Sequence, residues 1–329
     1  MNGHAELQLR LATRRAESLG GLSREGFDEL LLAVRSDPEA FLDDDRDRAF
    51  RDLIAALERY GRTRSDDEML DDDEYLRVRD RAFTNLKAAC ESALELDPDC
   101  LDAQLILALV QDVDSEALLG LLLALDEEEE RSHGPLATTG EGSDPLEDAW
   151  DDPFARPRLR LRSAIARTLF DTARYRMCAE VLEGMIALAP SDALGARFTL
   201  ALAYARLEDE EAFEALWDRY ERRGNAWFHL AHALLLYKLG RLSAASRALR
   251  GFSDLCKGGA FCLLHPAYVD IYIPDRPPAE PYSFEEVLMA VHEADPVIVD
   301  TPDFCGWAQG LPFMVEASRR FAREQGFDL

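Results

Sequence analysis

Residues 226–249 read AWFHLAHALLLYKLGRLSAASRAL. An apolar run of Ala, Leu and aromatic residues breaks at Lys238-Leu239-Gly240, and a second run of small and apolar residues follows from Leu242. Glycine just past an apolar helical run marks a stop, so the stretch predicts two helices folded back on each other. A helical hairpin cannot bury both faces alone. It needs stacked neighbours of its own kind, which together make a continuous core.

Such neighbours recur at a fixed interval. Pro190, in GMIALAPSD, sits just past an apolar run; 34 residues on is Gly224, in ERRGNAW, and 34 further is Gly258, in CKGGAF. Small residues at the crossing phase (Cys178, Ala212 and, one residue out of register, Ala245) allow close approach of helix axes. Internal turns at 172–176, 207–213 and 238–243 divide the region into three hairpins, Thr168 to Ala187, Arg197 to Leu216 and Trp227 to Leu249. An earlier unit shows in CESALELDPDC followed by LDAQLILALVQ, with Gly120 at the expected crossing of its second helix. Before it, 73–96 reads as one long helix.

In its spacing, and in AWFHLAHA followed by YKLGRLSAA, the chain resembles the tetratricopeptide repeat family over about half its length. The resemblance implies an all-α array of helical hairpins whose first helices build a concave wall that binds a peptide or a partner's helix. Carried over, the wall positions are Arg160, Ser163, Arg167 and Phe170, then Arg197, Ala201 and Tyr204, then Phe228 and His232. That makes a basic and aromatic wall, against the plainer reading in which these arginines pair with acids of adjacent helices. The Lys and Asn clamp of members that bind chaperone tails has no counterpart at these positions.

Four regions follow: a helical N-terminal part at 1–125 with one repeat-like unit near 82–125; an acidic flexible linker at 126–157; the hairpin array at 158–258; and a C-terminal extension at 259–329 covering the end of the array. Residues 126–152 hold eleven acids against Arg131, and 156–176 hold seven Arg against Asp171. The linker is read either as a segment that folds over the basic wall, with Trp150 as an apolar anchor, or as a solubilising loop. The extension is rich in Pro and aromatic residues. It carries one capping box, Ser283 with Glu286, and a last helix from about Pro312 to Glu324.

The net charge is −27, from 64 acids and 37 bases. That disfavours nucleic acid and anionic membrane as partners. The start of the chain has no apolar segment of signal-peptide type, and the longest uninterrupted apolar run, Ala117 to Leu125, is too short for a bilayer. A cytoplasmic location follows as an expectation, with the six cysteines as free thiols. No phosphate loop, nucleophile elbow, zinc-protease motif or EF-hand is present.

These readings favour a binding protein, an adaptor or regulator whose partner is a protein or peptide, over an enzyme, and require no cofactor. Two alternatives belong to other classes. One is a metal protein or enzyme centred on the extension, with Cys256, Cys262, His265 and Cys305 as ligands and His292 and Asp300 nearby. The other is a structural homo-oligomer joined through the apolar ends of the array. His229 and His232, three apart on one helix, are read as a packed and a surface histidine that look in different directions.

Overall fold

The structure, a computed structural model, describes residues 3–65, 72–136, 148–267, 269 and 272–327, without the side chains of 64, 65 and 72. Among the described residues the chain is all-helical, with no strand. It divides into two compact units, Met1–Leu161 with Ile273–Asp275, and Arg162–Tyr272 with Arg276–Leu329.

The first unit contains α1 (Gly3–Ser18), α2 (Arg24–Ser36), α3 (Asp45–Ser65), α4 (Asp72–Leu96), α5 (Leu101–Leu109) and α6 (Ser115–His133), and the start of α7 (Arg156–Asp171). Two apolar clusters hold it. Leu11, Val34, Phe50 and Ile54 gather between α1, α2 and α3. Leu53, Leu86, Cys90 and Ile106 join α3, α4 and α5. The long helix expected at 73–96 is α4. The helix expected to end near Asp126 runs on to His133, with Asp114 capping its first turn through Ala117 N (2.8 Å). Arg131 and His133 lie in its last turn, where positive charge is favoured, so the acidic run continues the helix. Gly120 is no crossing point, since a Cβ there would meet nothing within 4 Å. Residues 137–147 of the acidic linker, and Tyr268 and Ile271 of the extension, lie outside the described residues.

The second unit continues α7 and adds α8 (Tyr175–Leu188), α9 (Ala196–Leu207), α10 (Glu210–Arg219), α11 (Ala226–Lys238) and α12 (Leu242–Leu255), then α13 (Gly259–Leu264), α14 (Phe284–Val299), α15 (Phe304–Gln309) and α16 (Pro312–Gln325). The turns fall where the sequence puts them, at 172–174, 208–209 and 239–241. Capping side chains set the starts: Asp209 accepts from Ala212 N, and Asn225 from Phe228 N. α9 packs on α8, α10 and α11, and α11 on α9 and α12. α11 is apolar on every side, with Trp227, Phe228, Leu230 and Leu234 all at 2% exposure or less. A helix apolar all round must be enclosed all round, and each such side chain contributes roughly 1.5–3 kcal/mol by leaving water.

What encloses α11 on its remaining side is the extension. α14 lies against both α11 and α9, while α13 and α16 pack against α12. α14 buries Val287, Ala290, Ala294 and Val297, and it passes through Pro296 in its last turns. Phe304 and Trp307 of α15 meet Tyr237 at the end of α11, at ring separations of 5.2 and 4.8 Å.

Candidate functional site

The chemistry of the second unit concentrates where α14 packs on α9 and α11. Glu286 and Glu293 stand seven apart on α14, in phase with Ala290 and Val297, so both acids sit on a helix face that is otherwise core. Glu286 accepts from Tyr282 N (2.7 Å) and from Ala226 N (3.1 Å), the first residue of α11. Ser283 Oγ accepts from Glu286 N (3.1 Å). The capping box is thus present in one arm only, because the Glu286 carboxylate turns to the start of α11, where unpaired N–H groups favour an anion.

Glu293 meets Arg276, and each side chain is only 9% exposed. Arg276 Nε donates to Glu293 Oε1 (2.7 Å) and one terminal nitrogen to Oε2 (2.8 Å). That nitrogen also donates to Thr199 Oγ1 (3.0 Å). The other donates to the carbonyls of Leu194 (3.0 Å) and Gly195 (2.9 Å), just before α9. All five guanidinium N–H groups are therefore engaged. Trp227 Nε1 donates to Glu293 Oε2 (3.0 Å), and the Trp227 ring stacks on Phe198 at 4.8 Å. Burial alone would push the Glu293 carboxyl up, but Arg276 more than offsets it and holds it below the usual carboxylate range. Gly195 is required here: its φ is +68°, and a Cβ would lie 2.7 Å from the Arg276 guanidinium.

This arrangement corrects the open wall expected from the sequence. Over α9 and α11 the first-helix face is covered by the chain's own α14. Phe228 is fully buried between Phe213 and Trp217, Phe170 is buried edge-on to Tyr175, and Tyr204 is buried with its hydroxyl donating to Glu183 (2.7 Å). Arg197 is half-buried, paired with Asp192 (3.1 Å) and lying over the rings of Phe198 and Tyr220. Arg167 lies over the Tyr272 ring at 5.1 Å. The plainer reading, pairing with surface acids of adjacent helices, also differs from what is found: Arg197 pairs with Asp192 just ahead of its own helix, and the acids that hold Arg160 are buried.

Arg160 departs furthest from the expectation. In the first unit its side chain is fully buried and faces no open wall. It donates to both oxygens of Asp102 (2.7 and 2.8 Å) and both of Glu6 (3.0 Å each). Arg10 bridges the same two acids, at 2.7 Å to Glu6 and 3.3 Å to Asp102. Burial would raise the Asp102 carboxyl, but Arg160 and Arg10 overcome it and keep it below its ordinary value. With four of its five N–H groups committed to buried carboxylates, Arg160 has no capacity for a partner. Trp150 is taken as well: Arg156 Nε donates to its carbonyl (2.8 Å), and the guanidinium lies 4.9 Å from its ring.

The histidines and cysteines are packed groups. His229 and His232 do not look apart, because both ring edges meet Trp217, at 6.2 and 5.2 Å, and His232 also stacks on Phe213. Burial holds both imidazoles below their usual protonation range, so they are neutral at pH 7. Cys256 and Cys262 are buried thiols pushed up to about 12 by burial, Cys305 is exposed, and His265 lies against Phe261. Among the described residues no three His, Cys, Asp or Glu side chains gather as a metal site, so the expected alternative set Cys256, Cys262, His265 and Cys305 does not assemble there. No described helix is long and apolar enough to cross a membrane.

Arg276 and Glu293 were not among the residues singled out from the sequence. A signal existed: two Glu seven apart on an otherwise apolar helix face announce a partner that must satisfy them. Compared with known proteins, the chain matches no family model, no curated protein and no solved structure.

Proposed function

We propose that this protein is a binding protein of tetratricopeptide type, an adaptor or regulator that acts by holding another protein. One observation carries the reading. First helices α9 and α11 lie side by side, and a further helix, α14, lies across them, fixed by Glu293 to Trp227 and Thr199. This is the manner in which a helix-binding wall receives a helix. Here the chain supplies that helix itself, so over the last two hairpins a partner must approach another surface. The packed, neutral histidines and protonated thiols offer no activated nucleophile.

The test is capture from native extract on the immobilised full chain, followed by reconstitution with the purified candidate and sedimentation analysis. The reading expects a defined complex of fixed stoichiometry that survives purification. A chain that forms no such complex, yet turns over a small molecule, would overturn it.

A further inference from the structure

The second unit carries a basic strip apart from the packing of α14 on α9 and α11. Arg247, Arg250 and Lys257, on and just after α12, and Arg319, Arg320 and Arg323 on α16 are all exposed. None of the six forms an ion pair among the described residues. Elsewhere in the same unit Arg222 is tied to Glu214 and Asp218, Arg241 to Glu210, and the half-buried Arg206 to Asp300, while Arg176 and Arg219 are likewise exposed and form no ion pair among the described residues. Within 242–257 and 312–325 the six bases face only Asp254, Glu316 and Glu324. The strip is therefore net positive in a chain of net charge −27.

Arg250 and Arg320 lie toward the seam between two neighbouring helices, with the other four bases along the exposed sides of the same pair. α12 and α16 pack together. The Arg250 guanidinium sits 4.0 Å from the centre of the Phe313 ring, and the position of a Cβ on Gly258 would be 2.9 Å from Phe321. Arg250 to Gly258 and Phe313 to Phe321 are equal steps, so the helices run side by side in the same direction. At about 1.5 Å per residue, the bases spread over roughly two to three turns. Neighbouring bases within each helix are about 1.5–4.5 Å apart along the axis, inside one Debye length of about 8–10 Å at physiological salt, so the fields of neighbours add. Phe313, half-buried under Arg250, and Leu255, 56% exposed, supply apolar surface within the strip.

We propose that the outer face of α12 and α16 is the docking surface for the partner, and that it takes an acidic segment of another protein. The proposal rests on the binding-protein reading and names its site. Charge complementarity selects the occupant. An extended polyanion such as a nucleic acid or an anionic bilayer would meet the strongly acidic remainder of the molecule. A second copy brings the same excess of negative charge. A short acidic segment reaches the six bases and little else.

The experiment uses the full chain and a fluorescein-labelled 16-residue peptide of Glu with interspersed Ala and Leu, followed by anisotropy at low and physiological salt. Wild type should bind, more tightly at low salt. Arg250→Glu with Arg320→Glu should weaken binding by more than about tenfold, the loss of a few charge contacts. The control Arg24→Glu with Arg35→Glu, on exposed α2 positions, should leave it unchanged, and melting temperatures verify that each variant is folded. Absence of wild-type binding, or equal loss in both variants, overturns the proposal. So does tighter binding to phosphatidylserine vesicles or duplex DNA than to the peptide, or a concentration-dependent dimer that only the Arg250/Arg320 variant loses. If a partner captured by wild type still binds that variant, the surface is wrong while the binding-protein reading stands. If the peptide binds as described but no protein partner forms a complex, that reading fails and the strip remains.

Discussion

Arg160 and Arg276 are both guanidinium groups taken almost completely out of water, yet their partners differ in kind. Arg160 is held by two carboxylates, Glu6 and Asp102, with Arg10 sharing both. Arg276 is held by one carboxylate, Glu293, together with a hydroxyl and two backbone carbonyls. The first cluster is balanced by charge, so deleting any member strands an ion. The second is balanced largely by shape, because the turn before α9 and the face of α14 are both built to fit one fork. A buried charged residue in an all-helical unit can thus be a fastener, and its place in the sequence pattern does not reveal which kind.

The largest expected effect breaks the charge-balanced side. Arg160→Ala leaves Glu6 and Asp102 buried with Arg10 alone, and should cost about 3–5 kcal/mol in urea unfolding of the full chain. A loss below about 1 kcal/mol would mean water reaches the two acids. On the shape-balanced side, Arg276→Ala should cost about 2–4 kcal/mol. Glu293→Gln keeps the side-chain volume and one acceptor oxygen but turns an amide N–H toward a donor that the second carboxylate oxygen had satisfied, and should cost clearly less than the truncation, about 1–2 kcal/mol. If the two are equal, charge dominates there as well and the contrast collapses. Gly195→Ala should cost about 1–3 kcal/mol, since it opposes a φ of +68° and crowds the Arg276 guanidinium. In the Arg276→Ala background the crowding part should vanish and only the backbone part remain.

The smallest effect concerns pH. Burial lowers the proton affinity of His229, with His232 adding to it. Burial also lowers that of His232, with Arg222 assisting and Glu214 and Glu210 opposing. Unfolded imidazoles titrate near ~6.5, so below that pH the unfolded chain binds more protons. The stability contributed by the neutral rings is complete above that value and is lost as pH falls through it. Asp171 acts in the opposite sense: although the residue is exposed, crowding around its carboxyl pushes it up to about 6, with Arg167 opposing. The difference between wild type and His229→Gln/His232→Gln isolates the rings. The variant should lose less stability from pH 7 to pH 5, by about 1 kcal/mol or less per ring. Identical pH dependence would show that water already solvates both imidazoles.

The helices were legible in the sequence because breakers and apolar periodicity are local. Gly240 and the turns near 173 and 208 stand where the chain reverses, and α4 and α16 keep nearly their expected spans. What covers the first-helix wall was not legible, because it depends on residues far apart in the chain, Thr199, Trp227, Arg276 and Glu293, meeting in space. Arg160 was misplaced for the same reason: a repeat register assigns it a face but cannot show Glu6 and Asp102 waiting on α1 and α5. The end of α6 is hidden in the sequence because an acidic run has the composition of a linker, while Asp114, Arg131 and His133 at the two ends of the helix favour the longer span.

The central claim is that α14 is a fixed part of the second unit that closes the wall of α9 and α11. Hydrogen exchange on the intact chain tests it most directly. Amides of α14 should exchange as slowly as those of α9 and α11, and Arg276→Ala should speed all three helices together. Rapid exchange in α14 while α9 and α11 stay protected would contradict it.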